Sequence, residues 1–426
     1  MQEIIKKPRG TKDILPKESF MWQNLENLAQ SVLSSFGYGK ISTPIFEDTI
    51  LFQRGIGQAT DIVNKEMYTF RDQGNRSLTL RPEGTAGAIR ALIENRLYNN
   101  TINRLWYIGP MFRYERPQNG RQRQFNQLGI ECIGSNDPLA DFEVIYVAIQ
   151  ILTVLKVKDL KLEINSIGGF NEREEYLLAL KTFLNQYKDK LDEDSLFKLA
   201  LNPLRIFDSK NSTVQEILKD APLLSKFLND DSKKHFHILC SYLEASGIEY
   251  SINPRLVRGL DYYTYTAFEI KSNSLGAQDT VCGGGRYNNL VEQLSGPNLP
   301  AVGWGMGIER LLLIINQSND QSNILDFYIA PLDEEAKLIS LIVSNQLQQK
   351  GFNIEMDFTF TKIQKQIQRA SRKMAKACII IGQNEVANNF ISIKWLKSGK
   401  QSTIDLNSLD KIKVIYLNEL SIYYKS

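Results

Sequence analysis

Hydrophobic and polar positions follow a different period in each part of this chain of 426 residues. Residues 20–36 carry apolar side chains at helical spacing, which predicts an amphipathic helix. From there to residue 134 short apolar runs alternate with polar turns, and RLWYIGPMFRYE and RQFNQLGIECIG predict two strands joined by the loop RPQNGRQ. ISTPIF, centred on Pro44, predicts a short strand or an extended segment. This pattern favours an antiparallel sheet over repeated strand-helix units.

The second half of the chain predicts two further regions. A Lys-, Asp- and Leu-rich stretch of helical period at about 169–248 predicts a helical insertion, after which strand character returns. The polar run NQSNDQSN, residues 316–323, is the linker candidate. Beyond it strands and helices alternate, which predicts a largely parallel sheet. We therefore expect an α+β protein with an antiparallel core domain over 1–318, a linker at 319–324 and a small α/β domain over 325–426.

Composition excludes several classes of protein. The chain has 42% hydrophobic and 23% charged residues, as soluble proteins do, and its net charge of +3 is too small to indicate a nucleic-acid partner by itself. No two of its four cysteines form a CxxC pair, so neither a zinc knuckle nor a disulfide framework is predicted. The N-terminus is charged and no apolar stretch reaches roughly 18 residues. We expect a cytoplasmic protein that does not contact a membrane.

The hairpin at 104–134 carries the first chemical signal. Alternate residues of a strand share a face, so Phe125, Gln127 and Glu131 point the same way, and Arg113 and Glu115 share a face of the first strand. Such a set suits a polyphosphate and a small zwitterion, because the arginine fork binds phosphate or carboxylate through two hydrogen bonds. A salt-bridged surface hairpin explains the same charges equally well.

The segment GWGMGIER, residues 303–310, is the second signal. Its glycines allow close backbone approach at a strand-to-helix turn, and Arg310 follows one helical turn inside. The spacing fits neither a dinucleotide fingerprint nor a phosphate loop. A turn needed only for close helix-sheet packing is the alternative.

Together these segments resemble a known enzyme class. FRYE with RQFNQLGIE, followed by GWGMGIER, resembles motifs 2 and 3 of class II aminoacyl-tRNA synthetases, and ISTPIF resembles their motif 1, the dimer-interface motif. TLRPEGTAGAIRA, LVRGLDYYTYTAFE and VCGGGRYNNLVEQLSG look like signature segments of histidyl-tRNA synthetases, and PRGTKDILP is similar to that family's opening. The resemblance covers essentially the whole chain. It implies a class II catalytic core, an anticodon-binding C-terminal domain and a homodimer.

The resemblance implies ATP-dependent activation of L-histidine to histidyl-adenylate and transfer to tRNA(His), with release of AMP and diphosphate. One alternative is a non-catalytic synthetase paralogue that regulates histidine biosynthesis by binding a partner enzyme. Such paralogues typically lack the C-terminal domain and degrade the RGLDYY segment, whereas this chain keeps both. A domain that binds RNA without charging it is disfavoured because Arg113, Glu131, Arg258 and Arg310 are all present.

The resemblance also implies which residues bind histidine. Glu83 and Thr85 hold its ammonium group, and Glu131 and Tyr263 each meet one nitrogen of the imidazole ring. A carboxylate and a phenol at these positions reject amino acids that lack either partner, at a cost of about 1–3 kcal/mol per unmatched group. The implied histidine-binding residues are Glu83, Thr85, Gln127, Glu131, Arg258, Tyr262 and Tyr263.

For ATP, the resemblance implies adenine stacked between Phe125 and Arg310, with Mg²⁺ on the β- and γ-phosphates. Arg258 and Arg113 are the implied catalytic residues, because positioning and charge neutralisation supply most of the acceleration. A strand turn with aromatic core residues is the alternative for RGLDYY. The implied ATP-binding residues are Arg113, Arg121, Phe125, Gly305 and Arg310, and no protein side chain is assigned to the metal.

A basic helix is the candidate RNA contact. In TKIQKQIQRASRKMAKA, spacings of four, three and four put Lys365, Arg369, Arg372 and Lys376 on one face, opposite an apolar face that ends at Met374 and Ala377. Spacing alone fits a solvated face as well, and the resemblance favours anticodon binding. Candidates for the acceptor end of the RNA are Arg116, Gln118 and Arg123.

Two remaining residue types predict no chemistry. The histidines His235 and His237 lie in the helical insertion, and surface positions are favoured over a metal pair. Cys282 is predicted to be packing material, because no neighbouring base is evident to activate its thiol.

Overall fold

The computed structural model describes residues 4–58, 60–99, 102–118, 120–209, 211–275, 279–315, 325–359 and 361–423. The chain divides into two compact units, Met1–Asp320 and Gln321–Ser426. The linker candidates 316–323 and 319–324 lie outside the described residues. Within the described ranges, no helix is long and apolar enough to cross a membrane.

The first unit is built on one large sheet and one small one. The strands are β1 (Gly39–Lys40), β2 (Phe46–Asp48), β3 (Tyr68–Arg71), β4 (Ser77–Leu80), β5 (Asn103–Phe112), β6 (Gln124–Ile133), β7 (Leu160–Ser166), β8 (Tyr250–Ile252), β9 (Thr264–Ser272), β10 (Thr280–Arg286) and β11 (Ala301–Gly307). The large sheet has the order β1-β5-β6-β11-β10-β9-β7-β8, and β2-β4-β3 form the small one. Only the edge strands β1 and β8 run parallel to their neighbours, so the predicted antiparallel core is confirmed.

The described α-helices of this unit are α1 (Pro16–Ser35), α2 (Thr49–Ile56), α3 (Thr85–Glu94), α4 (Pro138–Val154), α5 (Phe170–Asn185), α6 (Glu193–Leu201), α7 (Ser212–Lys219), α8 (Asp230–Ala245), α9 (Leu290–Gln293) and α10 (Ile308–Ile315). Helices α1, α4 and α8 pack on the large sheet, and others form the insertion or contact the small sheet. Helix α1 has proline in its first turn, where the missing N–H costs nothing, and it buries Leu25, Ala29 and Leu33. Helix α1 confirms the predicted first helix, and α5 to α8 lie within the stretch predicted as a helical insertion.

Two large hydrophobic clusters, beside smaller ones, stabilise the described part of the first unit. In one, apolar side chains of α1, α4 and α8 pack on the large sheet around residues such as Trp106, Ile130 and Phe268. The other joins the helical insertion to the strands and to Tyr262, Tyr263 and Tyr287. The insertion is therefore packed directly behind residues that the sequence predicts to bind the substrate.

The second unit contains a five-stranded sheet. Its strands are β12 (Phe327–Pro331), β13 (Ile354–Met356), β14 (Ala377–Ile381), β15 (Phe390–Trp395) and β16 (Gln401–Asp405), in the order β13-β12-β14-β15-β16. Strands β12, β13 and β14 are parallel, as predicted, but β15 and β16 are antiparallel. The expectation of a largely parallel sheet is wrong for these two strands, because a short turn can join only antiparallel neighbours.

Among the described residues of the second unit, the α-helices are α11 (Glu334–Gln349), α12 (Ile363–Arg372), α13 (Gln383–Ala387) and α14 (Ile412–Tyr423). Helix α12 is shorter than its apolar period predicts. The chain turns at Met374, which has a left-handed backbone (φ 56°), and that conformation ends a helix. Met374 is exposed and Ala377 belongs to β14, so the predicted helical face stops before both.

Candidate active site

A cavity of about 340 Å³ opens on the face of the large sheet formed by β6, β10 and β11. Its walls collect side chains that are far apart in the sequence, from the hairpin, the RGLDYY segment and the first turn of α10. The predicted residues that line it are Glu83, Thr85, Arg113, Arg121, Phe125, Gln127, Arg258, Tyr262, Tyr263, Gly305 and Arg310. The structure thus brings the predicted histidine and ATP residues together, with Glu131 buried beside them.

The glycines of β11 make room for the polar floor of this cavity. Strand β11 pairs with β6, and Gly303 lies opposite Glu131. A Cβ atom on Gly303 would lie 2.0 Å from Oε2 of Glu131, and one on Gly305 would lie 1.8 Å from Nε2 of Gln127. Any other residue would displace these polar groups, which is the close approach that the glycine pattern predicts.

Glu131 is fully buried, and two tyrosines hold it. The hydroxyl of Tyr107 donates to Oε1 at 3.0 Å, and that of Tyr287 donates to Oε2. Burial raises the pKa of Glu131 to about 8, despite these hydrogen bonds. Neither tyrosine was among the site residues predicted from the sequence. Tyr107 was open to detection, because residue 105 pairs with Glu131 and alternate residues share its face.

Glu83 has a structural role as well as a place in the cavity. Its two carboxylate oxygens accept from the N–H groups of Thr85 at 2.6 Å and Ala86 at 2.8 Å, so it caps the first turn of α3. Burial raises its pKa. Nearby, Oε1 of Gln127 is buried and has no hydrogen-bond donor among the described residues. An acceptor left in this way fits a donor brought by a ligand.

Arg258 lies over β9 and β10 and is ion-paired to Glu269. Its Cζ is 5.9 Å from the ring centroid of Tyr263, and its Nε has no acceptor among the described residues. The side chain is 18% exposed, so one edge of the guanidinium faces the cavity while the other is held. Because the side chain is already held in place, its guanidinium can bind an anion with little further loss of conformational freedom.

Three further arginines surround the same cavity. Nε of Arg113 donates to the carbonyl of Pro82 at 2.8 Å, and its Cζ lies 5.4 Å from the ring centroid of Phe125. Arg310 donates to the carbonyl of Thr280 at 2.9 Å. Burial, followed by repulsion from Arg121, lowers the pKa of Arg310. With Arg258 they make four arginines in the cavity lining, beside the carboxylates of Glu83, Glu115, Glu269 and Glu309. Guanidinium groups in such a place suit a polyphosphate.

The ends of the hairpin differ from the prediction in detail. Strand β5 ends at Phe112, so Arg113 and Glu115 follow the strand and do not belong to it. The reason is local, since the N–H of Glu115 turns back to the carbonyl of Arg113 at 2.8 Å. Nη1 of Arg121 lies 3.4 Å from Glu115, which places this carboxylate between arginines.

The hairpin loop carries the residues predicted to meet the acceptor end of an RNA. Arg116 and Gln118 are exposed. Arg123 is held instead, because its N–H donates to the carbonyl of Gly10 at 2.7 Å and its Cζ lies 3.8 Å from the ring centroid of Tyr114. Arg123 therefore also ties the hairpin to the N-terminal segment.

In the second unit the predicted basic face is only partly available. Nε of Arg369 donates at 2.7 Å to Oδ2 of Asp357, a buried carboxylate, and Nζ of Lys376 lies 3.2 Å from Asp326. Lys376 also lies beyond the end of α12. Lys365 and Arg372 are exposed, so they are the members of this face that the structure presents to solvent.

The predictions for histidine and cysteine have different outcomes. His237 is exposed, but a surface position is wrong for His235, whose Nε2 lies 3.3 Å from the fully buried Asp141. Packing of α8 against α4 causes this contact. Cys282 is buried, and burial strongly raises the pKa of its thiol. Both observations agree with the prediction that this side chain packs and does not react. The described part of the chain contains no cluster of side chains suited to a metal ion.

Comparison with known proteins identifies what the chain resembles. The family model for histidyl-tRNA synthetase matches residues 10–311, and that for an anticodon binding domain matches residues 326–413. The chloroplastic histidine--tRNA ligase of Pyropia yezoensis is 52% identical over 420 residues, 98% of this chain and 97% of that protein. The histidine--tRNA ligase of Acaryochloris marina is 51% identical, over 95% and 96%. The apo histidyl-tRNA synthetase of S. aureus has a TM-score of 0.80 at 39% identity, covering 95% of this chain and 98% of that one.

Proposed function

The chain belongs to the histidyl-tRNA synthetase family, and from that premise we propose that its cavity binds L-histidine and ATP for the charging of tRNA(His). The protein is an enzyme, a histidine--tRNA ligase, and the regulatory alternative is not supported. One observation carries the assignment to this cavity. Arginine side chains and carboxylates line the same cavity of about 340 Å³, and the buried Glu131 beside it has a pKa that burial raises to about 8.

We propose that the polar floor selects histidine. The ammonium group would donate to Glu83 and to the unsatisfied Oε1 of Gln127, beside Thr85. The imidazole would lie between Glu131 and Tyr263, with Tyr262 next to them, so that each ring nitrogen has a partner. An amino acid without a second ring nitrogen would leave one buried group unmatched.

ATP would bind at the arginine-rich end, with adenine between Phe125 and Arg310 and the outer phosphates near Arg121. A carboxylate oxygen of histidine attacks the α-phosphorus, the bond to the bridging oxygen of the β-phosphate breaks, and diphosphate leaves. Arg258 and Arg113 neutralise the charge that gathers on the carboxylate and the α-phosphate. A terminal hydroxyl of the tRNA then attacks the carbonyl carbon of the adenylate, and AMP leaves.

Magnesium would enter on the β- and γ-phosphates and lower the charge of the leaving diphosphate. Mg²⁺ is commonly held by substrate phosphates, water and one or two carboxylates, so it needs no protein cage. Glu115, which lines the cavity between Arg113 and Arg121, fits the part of such a carboxylate.

We propose that the second unit binds the anticodon through Lys365 and Arg372, while Arg369 holds the loop before α12. The acceptor end would meet Arg116 and Gln118, with Arg123 shaping the loop.

A homodimer is proposed because Ile45, Phe46, Ile50 and Phe70 are all exposed around the segment of Pro44, and light scattering tests it. Cell fractionation tests the proposed cytoplasmic location.

The deciding experiment is exchange of labelled diphosphate into ATP with Mg²⁺ present. We expect exchange when histidine is added and background exchange with any other amino acid. The control is Glu131→Ala, which should still bind ATP but show only background exchange when histidine is added. Folded protein that shows no exchange with histidine would contradict the proposal, and equal exchange with several amino acids would contradict the selection by Glu131.

A further inference from the structure

The segment 256–263, which carries Arg258, Tyr262 and Tyr263, has no helix or strand of its own. Two anchors tie it to the large sheet and its surroundings. Nδ2 of Asn165 on β7 donates to the carbonyl of Leu256 at 3.0 Å, and the N–H of Asp261 donates to the carbonyl of Ile56 at 3.2 Å. A segment of this kind depends on side chains from elsewhere to fix its backbone groups.

The helical insertion supplies such side chains. Nη1 of Arg173 on α5 donates to the carbonyl of Tyr263 at 2.7 Å, and Arg205 donates to the carbonyl of Gly259. Nδ2 of Asn202 donates to Oδ1 of Asp261 at 2.8 Å. These three donors therefore act on alternate residues of the segment, namely Gly259, Asp261 and Tyr263.

Asn202 connects the segment to the framework of the insertion. It precedes a short 3-10 helix, Pro203–Asp208, and its Oδ1 accepts from the N–H of Leu204 at 3.2 Å. The same side chain thus caps that helix with one atom and holds Asp261 with the other. Arg205 lies in the same 3-10 helix, so both donors are fixed by a single element.

Apolar packing alone does not fix this junction. Tyr262 and Tyr263 do belong to the same hydrophobic core as the insertion. A second cavity of about 310 Å³ nevertheless remains between the two, lined by Arg173, Asn202, Asp261 and Tyr262 among others. Because close packing is interrupted there, the hydrogen bonds across the gap carry the alignment.

We propose that the helical insertion sets the position of the 256–263 segment, with Asn202, Arg205 and Arg173 as positioning residues for the substrate-binding groups on it. This inference rests on the proposed function of the cavity. Asn202 acts through Asp261, which directly precedes Tyr262 and Tyr263, and Arg205 acts on Gly259, the residue after Arg258. The insertion is thereby part of the histidine-binding machinery, although it does not line that cavity.

The test compares Asn202→Ala with Asn211→Ala. Asn211 is a matched control because it also caps a helix of the insertion and also donates to a carboxylate, at 2.8 Å to Asp192, away from the segment. We expect Asn202→Ala to raise KM for histidine about tenfold in diphosphate exchange and to lower kcat, since a hydrogen bond to a charged group is lost. KM for ATP should change less than about twofold, and Asn211→Ala should leave all three constants near wild type.

A double-mutant cycle separates positioning from a general loss of stability. If Asn202 acts through Asp261, then Asn202→Ala combined with Asp261→Ala should be no worse than Asp261→Ala alone. Arg205→Lys, which keeps a cationic donor, should recover most of the activity that Arg205→Ala loses. Fully additive effects in the cycle would overturn the proposal.

The thermal midpoint supplies an independent readout, because both asparagine variants lose a cap and should melt slightly earlier. Equal kinetic constants for Asn202→Ala and Asn211→Ala, with wild type active, would sink this inference alone. A wild-type protein that shows no histidine-dependent exchange would instead contradict the proposed function.

Discussion

Both units of this chain bury carboxylates, and Asp357 of the second unit and Glu131 of the first have different surroundings. Asp357 in the second unit accepts from Tyr328 at 2.8 Å and is ion-paired to Arg369. Burial acts to raise its pKa, but hydrogen bonds from Thr359, Tyr328 and Arg369 outweigh this, and the pKa is lowered. Glu131 accepts from two tyrosines and from no cation in the described residues, and burial raises its pKa to about 8.

The comparison distinguishes Asp357, a carboxylate that stabilises the folded unit, from Glu131, a carboxylate that is proposed to bind a ligand. Asp357 stabilises its own unit, since a buried carboxylate with donors and a cation is satisfied. Burial of Glu131 favours its protonated form, and a further donor brought by a ligand would stabilise its carboxylate.

The strongest way to test the cavity side of this comparison is Arg258→His. We expect histidine-dependent diphosphate exchange to fall about 10³-fold, because a fixed donor at the reacting charge is removed. Histidine binding measured by calorimetry should remain detectable. Arg76→His is the control, since that side chain is 75% exposed, and it should leave exchange unchanged. A nearly active Arg258→His variant would remove Arg258 from its catalytic role.

The second unit offers the opposite test, Asp357→Ala. We expect a loss of about 3 kcal/mol in the free energy of unfolding of that unit, because Arg369 and the hydroxyls lose a shared acceptor. Urea unfolding measures it, with the exposed Asp410→Ala as the control. Diphosphate exchange should persist while tRNA charging falls. If stability is unchanged, Asp357 is not the satisfied charge that we describe.

Local patterns in the sequence predicted the β5–β6 hairpin, the strand-to-helix turn at 303–310 and the helical insertion, because each depends on residues close along the chain. The end of α12 was missed because one left-handed residue, Met374, decides it. The parallel part of the second sheet was overestimated because that prediction rested on alternating strands and helices. The β15–β16 hairpin follows this alternation and does not continue it.

The cavity was predicted less evenly, for a physical reason. Residues within quoted motifs could be assigned by resemblance, and the structure gathers them around one cavity. Tyr287 supports Glu131 from beyond β10, so its role depends on strand order across the sheet, whereas Tyr107 lies on the predicted hairpin itself. The contact of His235 with Asp141 likewise needs the packing of two helices that no sequence period encodes.

A pH titration of stability sharpens the description of Glu131. Its pKa is about 8 in the folded protein and 4.5 as the ordinary value, so the folded state binds the proton more tightly. Stability from this group is therefore fully present below pH 4.5 and is lost as pH rises towards 8, by at most about 1.4 kcal/mol per pH unit. Glu131→Gln should flatten this decline relative to wild type in urea unfolding. Parallel curves for the two proteins would show that Glu131 is ionised in the folded state.

The smallest expected effect comes from the exposed members of the basic face on α12. We expect Lys365→Ala with Arg372→Ala to raise KM for tRNA in charging by about three- to tenfold at low salt and by less at high salt, because phosphate contacts release counterions. Lys411→Ala with Lys413→Ala removes the same charge from exposed positions of this unit and should have little effect. Unfolding should be unchanged in both. An equal rise of KM in the two pairs would mean that the net charge of the unit matters rather than this face of α12. The contact of Arg369 with Asp357 would then bear on the stability of the unit and not on RNA binding.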